Sequence, residues 1–341
     1  MLCPICELPM LGRLRATLSR LLALAVLVAL GACDRGDDLL SPSGGDESVA
    51  PAQDALATAG EDAAPDFVVA SSAQRIVFNS ARSGGYDIFK MDPQGYNVVP
   101  LTKSAYAGEP AWSHDNTRIA MVRQRLDASN KSHTDVYVIN ADGSNGHWAR
   151  STPFPYDLRY PSWSLDGSRI LLTIMQVGKP YLATLTLATG QIKFITSGGT
   201  GVQGNYPSYD PTGKKIVFVS PSGTSFQRIN TDGTGRVLLA SFGKGVSSPR
   251  YSPDGGKIAF EMLVGLNIDI YVWNLATKVN TRLTTHAGID EQATWSPDGS
   301  RIAFMSTRTG QPQIWVMSAT GMYQTRITKT ATAEKDPAWS F

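Results

Sequence analysis

Short apolar runs recur along the chain from residue 73 onward, and each follows a polar turn. The clearest example is residues 294–306, in which Thr-Trp, Ser-Pro-Asp-Gly and Arg-Ile-Ala-Phe-Met-Ser occur in that order with a serine between turn and strand. Proline presets φ at the second position of a tight turn and glycine supplies a left-handed residue, so residues 296–299 predict a chain reversal. The flanking runs are short and bounded by polar residues, as in buried strands. The phrase therefore predicts an antiparallel hairpin.

A second pair of strands follows the phrase. Residues 313–317 read Gln-Ile-Trp-Val-Met, an Ala-Thr-Gly turn follows at 319–321, and residues 325–328 read Thr-Arg-Ile-Thr. Four short antiparallel strands per unit are the anatomy of a propeller blade.

The phrase recurs around an aromatic anchor in its first strand. Successive anchors are 42 to 51 residues apart. Repeats of roughly 40–50 residues with four strands each indicate a propeller rather than a helical solenoid. The anchors, which we expect to pack between blades, are Trp112, Trp163, Tyr209, Tyr251, Trp295 and Trp339.

The sixth unit is split between the two ends of the repeat region. Residues 73–80 match the second strand of a repeat and have no first strand before them, whereas residues 336–341 match a first strand with no second strand after it. Each fragment supplies what the other lacks, so the C-terminal strand is predicted to complete the first blade and close the ring, which removes open sheet edges. The predicted fold is an all-β, six-bladed β-propeller of four-stranded antiparallel blades.

The repeated residues resemble a known family. Trp-Ser-Pro-Asp-Gly-Ser-Arg-Ile-Ala-Phe at 295–304 and Asp-Ile-Tyr-Val at 269–272 are similar to the PD40 (WD40-like) repeat of TolB-type propellers. The resemblance implies a periplasm-facing role in contact with a peptidoglycan-associated lipoprotein. Two features depart from the family pattern. That family carries an α/β domain ahead of its propeller and is usually soluble in the periplasm, whereas residues 34–70 are too short and acidic for such a domain and Cys33 indicates an anchor.

The N-terminal segment has the pattern of an export signal. Arg13, Arg15 and Arg20 precede an apolar run at residues 21–30, and Leu-Gly-Ala-Cys follows at 30–33. The run is shorter than the ~20 residues that span a bilayer. Residues 1–33 are therefore predicted to be a lipoprotein signal peptide, with Met10 as a possible true start and Cys33 as the acylated residue. An ordinary signal cleaved nearby, with Cys33 a bystander, is the alternative.

Charge separates the rest of the chain into two parts. Residues 34–70 hold nine acidic residues and one basic residue, which predicts an acidic flexible linker. Residues 71–341, the predicted propeller, hold 27 basic and 19 acidic residues. A basic body can bind nucleic acid, anionic lipid or acidic partners, or can simply be well solvated. Export argues against nucleic acid, and we expect a monomer anchored to the inner or outer membrane of a Gram-negative envelope.

Candidate binding residues lie where inner strands begin. The aspartates of the Ser-Pro-Asp-Gly turns are already explained by turn formation. On the opposite face, carboxylates and tyrosines that converge on the channel mouth would suit a cation, an amine or a basic peptide. The alternative is a solvated pore whose carboxylates pair with Arg159, Arg250 or Lys335. The predicted ring comprises Glu109, Tyr160, Tyr206, Ser248, Glu291 and Asp336, with Asp290 adjacent.

No catalytic set emerges from the residues. The four histidines are scattered along the chain, whereas the oligogalacturonide lyases, which the repeat also resembles, need several histidines around one metal ion. The sequence has no phosphate-binding loop, zinc pattern or dinucleotide fingerprint. It therefore predicts a non-enzymatic envelope lipoprotein that binds a protein partner and has no cofactor. The alternatives are binding of a sugar or cation at the channel mouth, and a lyase or hydrolase acting on envelope polysaccharide.

Overall fold

The repeated phrase forms a hairpin in the computed structural model of the chain. Asp290–Trp295 pairs antiparallel with Arg301–Ser306, and Ser296 accepts the N–H of Gly299 between them. The structure describes residues 74–103 and 106–341. The predicted signal peptide, Cys33 and the acidic linker lie outside these residues.

The described residues form 26 strands. In chain order they are β1 (Ile76–Ser80), β2 (Asp87–Met91), β3 (Val99–Pro100), β4 (Ala107–Trp112), β5 (Arg118–Leu126), β6 (Ser132–Asn140), β7 (His147–Trp148), β8 (Asp157–Trp163), β9 (Arg169–Gln176), β10 (Lys179–Thr186), β11 (Gln191–Phe194), β12 (Thr196–Ser197), β13 (Thr200–Gly201), β14 (Asn205–Tyr209), β15 (Lys215–Val219), β16 (Ser225–Asn230), β17 (Val237–Ser241), β18 (Val246–Tyr251), β19 (Lys257–Val264), β20 (Asn267–Asn274), β21 (Asn280–Arg282), β22 (Asp290–Trp295), β23 (Arg301–Ser306), β24 (Gln313–Ser318), β25 (Thr325–Arg326) and β26 (Glu334–Trp339).

These strands confirm the predicted six-bladed propeller. Six sheets have four antiparallel strands each, and β12 and β13 form a small extra hairpin. Blade 1 has the order β26-β1-β2-β3, so the C-terminal strand completes the blade that opens the chain and closes the ring. Blades 2 to 6 are β4–β7, β8–β11, β14–β17, β18–β21 and β22–β25.

The core lies between blades, because each sheet is covered by its neighbours on both sides. Ala120 and Val138 of blade 2 pack with Leu158 and Trp163 of blade 3 in one buried cluster. The Trp163 side chain is 1% exposed, and its indole N–H donates to the carbonyl of Ala111 in the preceding blade at 3.0 Å. This anchor therefore packs between blades as predicted.

Each polar turn is held by its own aspartate. In the second repeat Asp115 accepts hydrogen bonds from the Ser113 hydroxyl at 2.6 Å and the Thr117 N–H at 3.0 Å. These bonds, that of Ser113 above all, lower the pKa of Asp115 to about 2. The geometry confirms that the turn aspartates are structural.

The Asp-Gly turn between third and fourth strands packs against the preceding blade. In blade 4 this turn contains Gly233, which has φ +89°. A Cβ atom built there would lie 1.8 Å from the carbonyl oxygen of Thr196. Only glycine allows so close an approach, so this position fixes how blade 4 meets the end of blade 3.

The connections divide the ring into two faces. The lower face carries the turns between first and second strands and between third and fourth strands. The upper face carries the hairpins between second and third strands and the connections from blade to blade. The described residues contain no helix with the length and apolar character needed to cross a bilayer.

Candidate site at the channel mouth

A bulge interrupts the inner strand of every blade. The pairing register with the second strand shifts within each inner strand, for example between Gly108 and Ala111. One residue of each bulge adopts a left-handed backbone, which is uncommon outside glycine. Proline follows that residue in five of the six blades, and its missing N–H suits a bulge. The six left-handed residues are Glu109, Tyr160, Tyr206, Ser248, Gln292 and Asp336, with φ between 48° and 63°.

This arrangement corrects one member of the predicted ring. Gln292, rather than Glu291, occupies the equivalent position in blade 6, three residues before the Trp295 anchor. The physical reason is that Ala293 replaces the proline that marks the bulge in the other blades, so the register is set only by the strand pairing. Glu291 lies opposite Met305 in the regular part of the ladder.

Asp290 also lies outside the ring of left-handed residues. It is fully buried, and its carboxylate accepts a hydrogen bond from Arg308 Nη2 at 2.8 Å. This ion pair joins the ends of β22 and the β23–β24 hairpin. Asp290 therefore stabilises blade 6 and is not a member of the ring at the channel mouth.

Side chains of the ring connect one blade to the next by hydrogen bonds. Gln292 Oε1 accepts the Asp336 N–H at 2.8 Å, and Asp336 Oδ2 accepts the Glu109 N–H at 3.3 Å. Glu109 Oε2 in turn accepts the Tyr160 N–H at 2.6 Å. Three left-handed residues thus satisfy the backbone of the next blade, and the series joins blades 6, 1, 2 and 3.

A buried glutamate begins this series. Glu261 on β19 is 4% exposed, and its Oε1 accepts the Gln292 N–H at 2.5 Å. Its other oxygen contacts the Ser247 hydroxyl. Glu261 was not anticipated from the sequence, because it lies on a second strand and nothing in its local pattern indicates that its side chain reaches blade 6.

An ion pair reinforces Glu109. The guanidinium of Arg159 donates from Nε to Glu109 Oε1 at 2.8 Å, and its Nη2 contacts the same oxygen. Burial by itself lowers the pKa of Arg159, but the adjacent carboxylate of Glu109 outweighs burial and raises it. The alternative predicted from the sequence is a pore whose carboxylates pair with arginine or lysine. Glu109 forms such a pair with Arg159.

Asp336 has a perturbed pKa. Burial, followed by the nearby negative charge of Glu109, raises the pKa of Asp336 to about 6. The amide of Gln292 contacts Asp336 Oδ1 while the Glu109 N–H occupies Oδ2. Both oxygens are therefore engaged within the protein.

The opposite part of the mouth is aromatic. The rings of Tyr160 and Tyr206 lie 4.1 Å apart between centroids, at an interplanar angle of 36°. Burial and the neighbouring Tyr206 raise the pKa of Tyr160, so its hydroxyl stays neutral. Ser248 completes this side, where burial lowers the pKa of the adjacent Arg250. The wall therefore has a hydrogen-bonded arc and an aromatic arc.

The mouth combines aromatic rings with polar and charged side chains. Within residues 74–103 and 106–341, no three His, Cys, Asp or Glu side chains lie together as a metal site. Two of the histidines illustrate that the histidine side chains lie in separate parts of the ring. His114 stacks on Phe341 with centroids 4.0 Å apart, and His133 contacts Asp127 at 3.1 Å within the β5–β6 hairpin. What the mouth offers is a pair of tyrosine rings beside hydroxyl and guanidinium groups.

Comparison with known proteins agrees with this fold. The profile of the TolB beta propeller domain, PD40, matches residues 224–341. The Tol-Pal system protein TolB of Francisella tularensis subsp. holarctica is 40% identical over 82 residues, which are 23% of this chain and 19% of that protein. A Protein TolB homolog of Chlorobium luteolum is 29% identical over 199 residues, 53% of this chain and 44% of that protein. The matches thus span less than half of these relatives.

Solved structures show the same architecture. TolB from Acinetobacter baumannii has a TM-score of 0.64 at 21% identity, covering 78% of this chain and 66% of that one. An oligogalacturonate lyase in complex with manganese has a TM-score of 0.51 at 15% identity, covering 75% and 74%. At these identities the likeness concerns the fold alone. The class of protein is a six-bladed β-propeller, of which residues 224–341 match the PD40 profile. Among named proteins, the chain is similar to TolB, and it is TolB-like in its propeller.

Proposed function

We propose that the chain is a non-enzymatic, periplasm-facing lipoprotein whose propeller binds a protein partner of the cell envelope. The observation that carries the proposal is the divided wall of the channel mouth. Glu109, Gln292 and Asp336 use polar atoms of their side chains to hold neighbouring blades together, so these three side chains have a structural role in the ring. Tyr160 and Tyr206 present the aromatic surface that protein interfaces favour.

The similarity to TolB supports the kind of partner. Relatives that share the repeat are named for the Tol-Pal system, and a partner resembling a peptidoglycan-associated lipoprotein fits that likeness. Location in the periplasm follows the same likeness. Acylation of Cys33 rests on the Leu-Gly-Ala-Cys motif, and the identity of the membrane that holds the anchor is left to experiment.

Site-specific crosslinking tests the proposal. A photo-crosslinking residue would replace Tyr206 at the mouth, and Leu165, which is 52% exposed on the lower face, would serve as the matched control position. We expect one defined envelope protein to be captured from intact cells at Tyr206 and not at Leu165. Equal capture at both positions, or capture at Leu165 alone, would place the partner elsewhere.

Binding of a small ligand or cation is the second candidate, because the mouth is lined by carboxylates and tyrosines. Its test is the melting temperature of the purified protein with calcium, manganese or neutral sugars, since a ligand that binds only the folded state raises it. A shift that Tyr160→Ala removes would favour this function. Unchanged melting with every compound would exclude it for those compounds.

A further inference from the structure

Exposed charge is distributed unequally between the two faces. Six described carboxylates are exposed, and all lie in turns of the lower face: Asp115, Asp142, Asp166, Asp232, Asp254 and Asp298. The lower face also exposes the cations Arg169, Lys214 and Lys278. The upper face exposes no carboxylate among the described residues, but it exposes five lysines distributed around the ring: Lys103, Lys131, Lys179, Lys244 and Lys329. Its partly buried Asp127 and Asp157 accept hydrogen bonds from neighbouring residues of the hairpins, such as Lys131 N–H at 2.9 Å and Thr134 N–H at 2.7 Å.

Three hairpins project from the lysine-bearing upper face. Strands β5 and β6 have nine residues each, and β9, β10, β19 and β20 have eight each, whereas the matching strands of blades 1, 4 and 6 have five or six. The second strands continue past the start of the inner strand by different lengths. Strand β5 runs three residues beyond Arg123, the partner of Ala107, whereas β19 runs two residues beyond Met262 and β9 one residue beyond Met175. At about 3.3 Å per residue the longest hairpin stands roughly 10 Å above its inner strand.

The tips of these hairpins carry exposed apolar side chains. Val177 is 84% exposed, Leu266 is 89% exposed and Leu126 is 59% exposed. Val177 occupies the first position of a two-residue turn with φ 49°, where asparagine, aspartate or glycine is favoured and a β-branched residue is strained. Neither folding nor solubility explains an apolar residue at that position.

We propose that the upper face docks on an anionic lipid bilayer, with the lysines on the headgroups and Leu126, Val177 and Leu266 in the interface. Lysines without exposed carboxylates complement an anionic surface, and each contributes attraction there. The apolar tips are separate points rather than one groove, which fits a bilayer better than a folded protein surface. The predicted anchor at Cys33 would hold the propeller beside such a surface.

The proposal goes beyond partner binding, and its test contains no protein partner. Full-length protein with Cys33→Ala, which lacks the acylated residue, would be sedimented with vesicles of phosphatidylglycerol or of phosphatidylcholine. We expect preferential binding to phosphatidylglycerol that weakens with added salt. Equal or no binding to the two vesicle types would overturn the proposal while leaving the crosslinking result at Tyr206 unaffected.

Matched charge variants test which face of the propeller binds the vesicles. The triple change Lys131→Glu, Lys179→Glu and Lys244→Glu should weaken binding on the order of a hundredfold or more. The control triple Arg169→Glu, Lys214→Glu and Lys278→Glu makes the same charge change at exposed residues of the lower face and should leave binding almost unchanged. Equal loss in both triples would show that net charge alone, not the upper face, governs binding.

The apolar tips distinguish a bilayer from a soluble polyanion. Val177→Asn and Leu266→Asn together should weaken vesicle binding about tenfold or more, since each removes apolar contact, and asparagine suits the strained turn. The lower-face pair Val279→Asn and Met322→Asn, 54% and 56% exposed in the parent, is the control. If the tip variant binds vesicles like its parent, or if polyglutamate binds as tightly as phosphatidylglycerol, an acidic protein or polysaccharide is the ligand and the bilayer proposal fails.

Discussion

Replacing Gly233 by alanine tests how neighbouring blades are joined. The change adds a Cβ atom 1.8 Å from the Thr196 carbonyl oxygen, less than any tolerated contact, on a backbone with φ +89°. The backbone conformation alone costs about 1 kcal/mol for a residue other than glycine. Relief of the clash requires the turn or β12 to move by more than 1 Å, and such overpacking costs about 1–3 kcal/mol more. We expect a total loss of about 3 kcal/mol.

Gly223→Ala is the matched control, because it isolates the backbone contribution. Gly223 lies in the same blade with φ +72°, and no atom lies within 4 Å of its added Cβ. It should lose only about 1 kcal/mol. Urea denaturation of both variants measures the difference, which in a domain of this size corresponds to roughly 2–4 °C per kcal/mol in melting temperature. Equal losses in the two variants would refute the argument that close approach of blades requires glycine at position 233.

Three further predictions concern the mouth and the anchor. The pKa of Asp336 is raised from 3.8 to about 6 in the folded protein. The favourable contribution of its protonated carboxyl group to the free energy of unfolding is therefore complete below the unfolded pKa. Up to about 3 kcal/mol of that contribution is lost as the pH rises through 6. Asp336→Asn should therefore flatten the stability profile between about pH 4 and about pH 7 in urea titrations, and an unchanged slope would contradict this. Glu109→Ala should destabilise the protein by about 3 kcal/mol by leaving Arg159 unpaired. Glu109→Gln, which keeps an acceptor for the Tyr160 N–H, should lose less in the same assay, and equal losses would disprove the explanation. Cys33→Ala should move the protein from the membrane to the soluble fraction when cells are fractionated at high salt, which screens docking through the lysines, and a wild-type protein that is already soluble would refute the lipobox interpretation.

Much of the fold could be predicted because its information is local. The turn chemistry of residues 296–299 and the apolar runs beside it define a hairpin within one repeat. The six copies of an aromatic anchor then give the number of blades, and the split unit predicts that β26 closes the ring. The signal peptide and linker remain predictions.

The candidate site could be predicted only in part. Five of the six left-handed positions were predicted because they directly precede an inner-strand phrase that begins with proline. In blade 6 Ala293 stands where the other blades have proline, and Glu291 was predicted in place of Gln292. The local sequence around Glu261 did not indicate that its side chain contacts blade 6. Counting three residues back from each anchor would have identified Gln292.

The sequence by itself determined the blade, the number of copies and the turn residues, because hairpins form between neighbours in the chain. The tertiary structure alone decided which side chains meet at the mouth, because Asp336 and Glu109 are 227 residues apart and contact one another only when the ring closes. It also decided that all six exposed aspartates lie on the lower face, whereas five of the exposed lysines lie on the upper face. That separation arises because antiparallel strands return alternate turns to opposite ends of every blade.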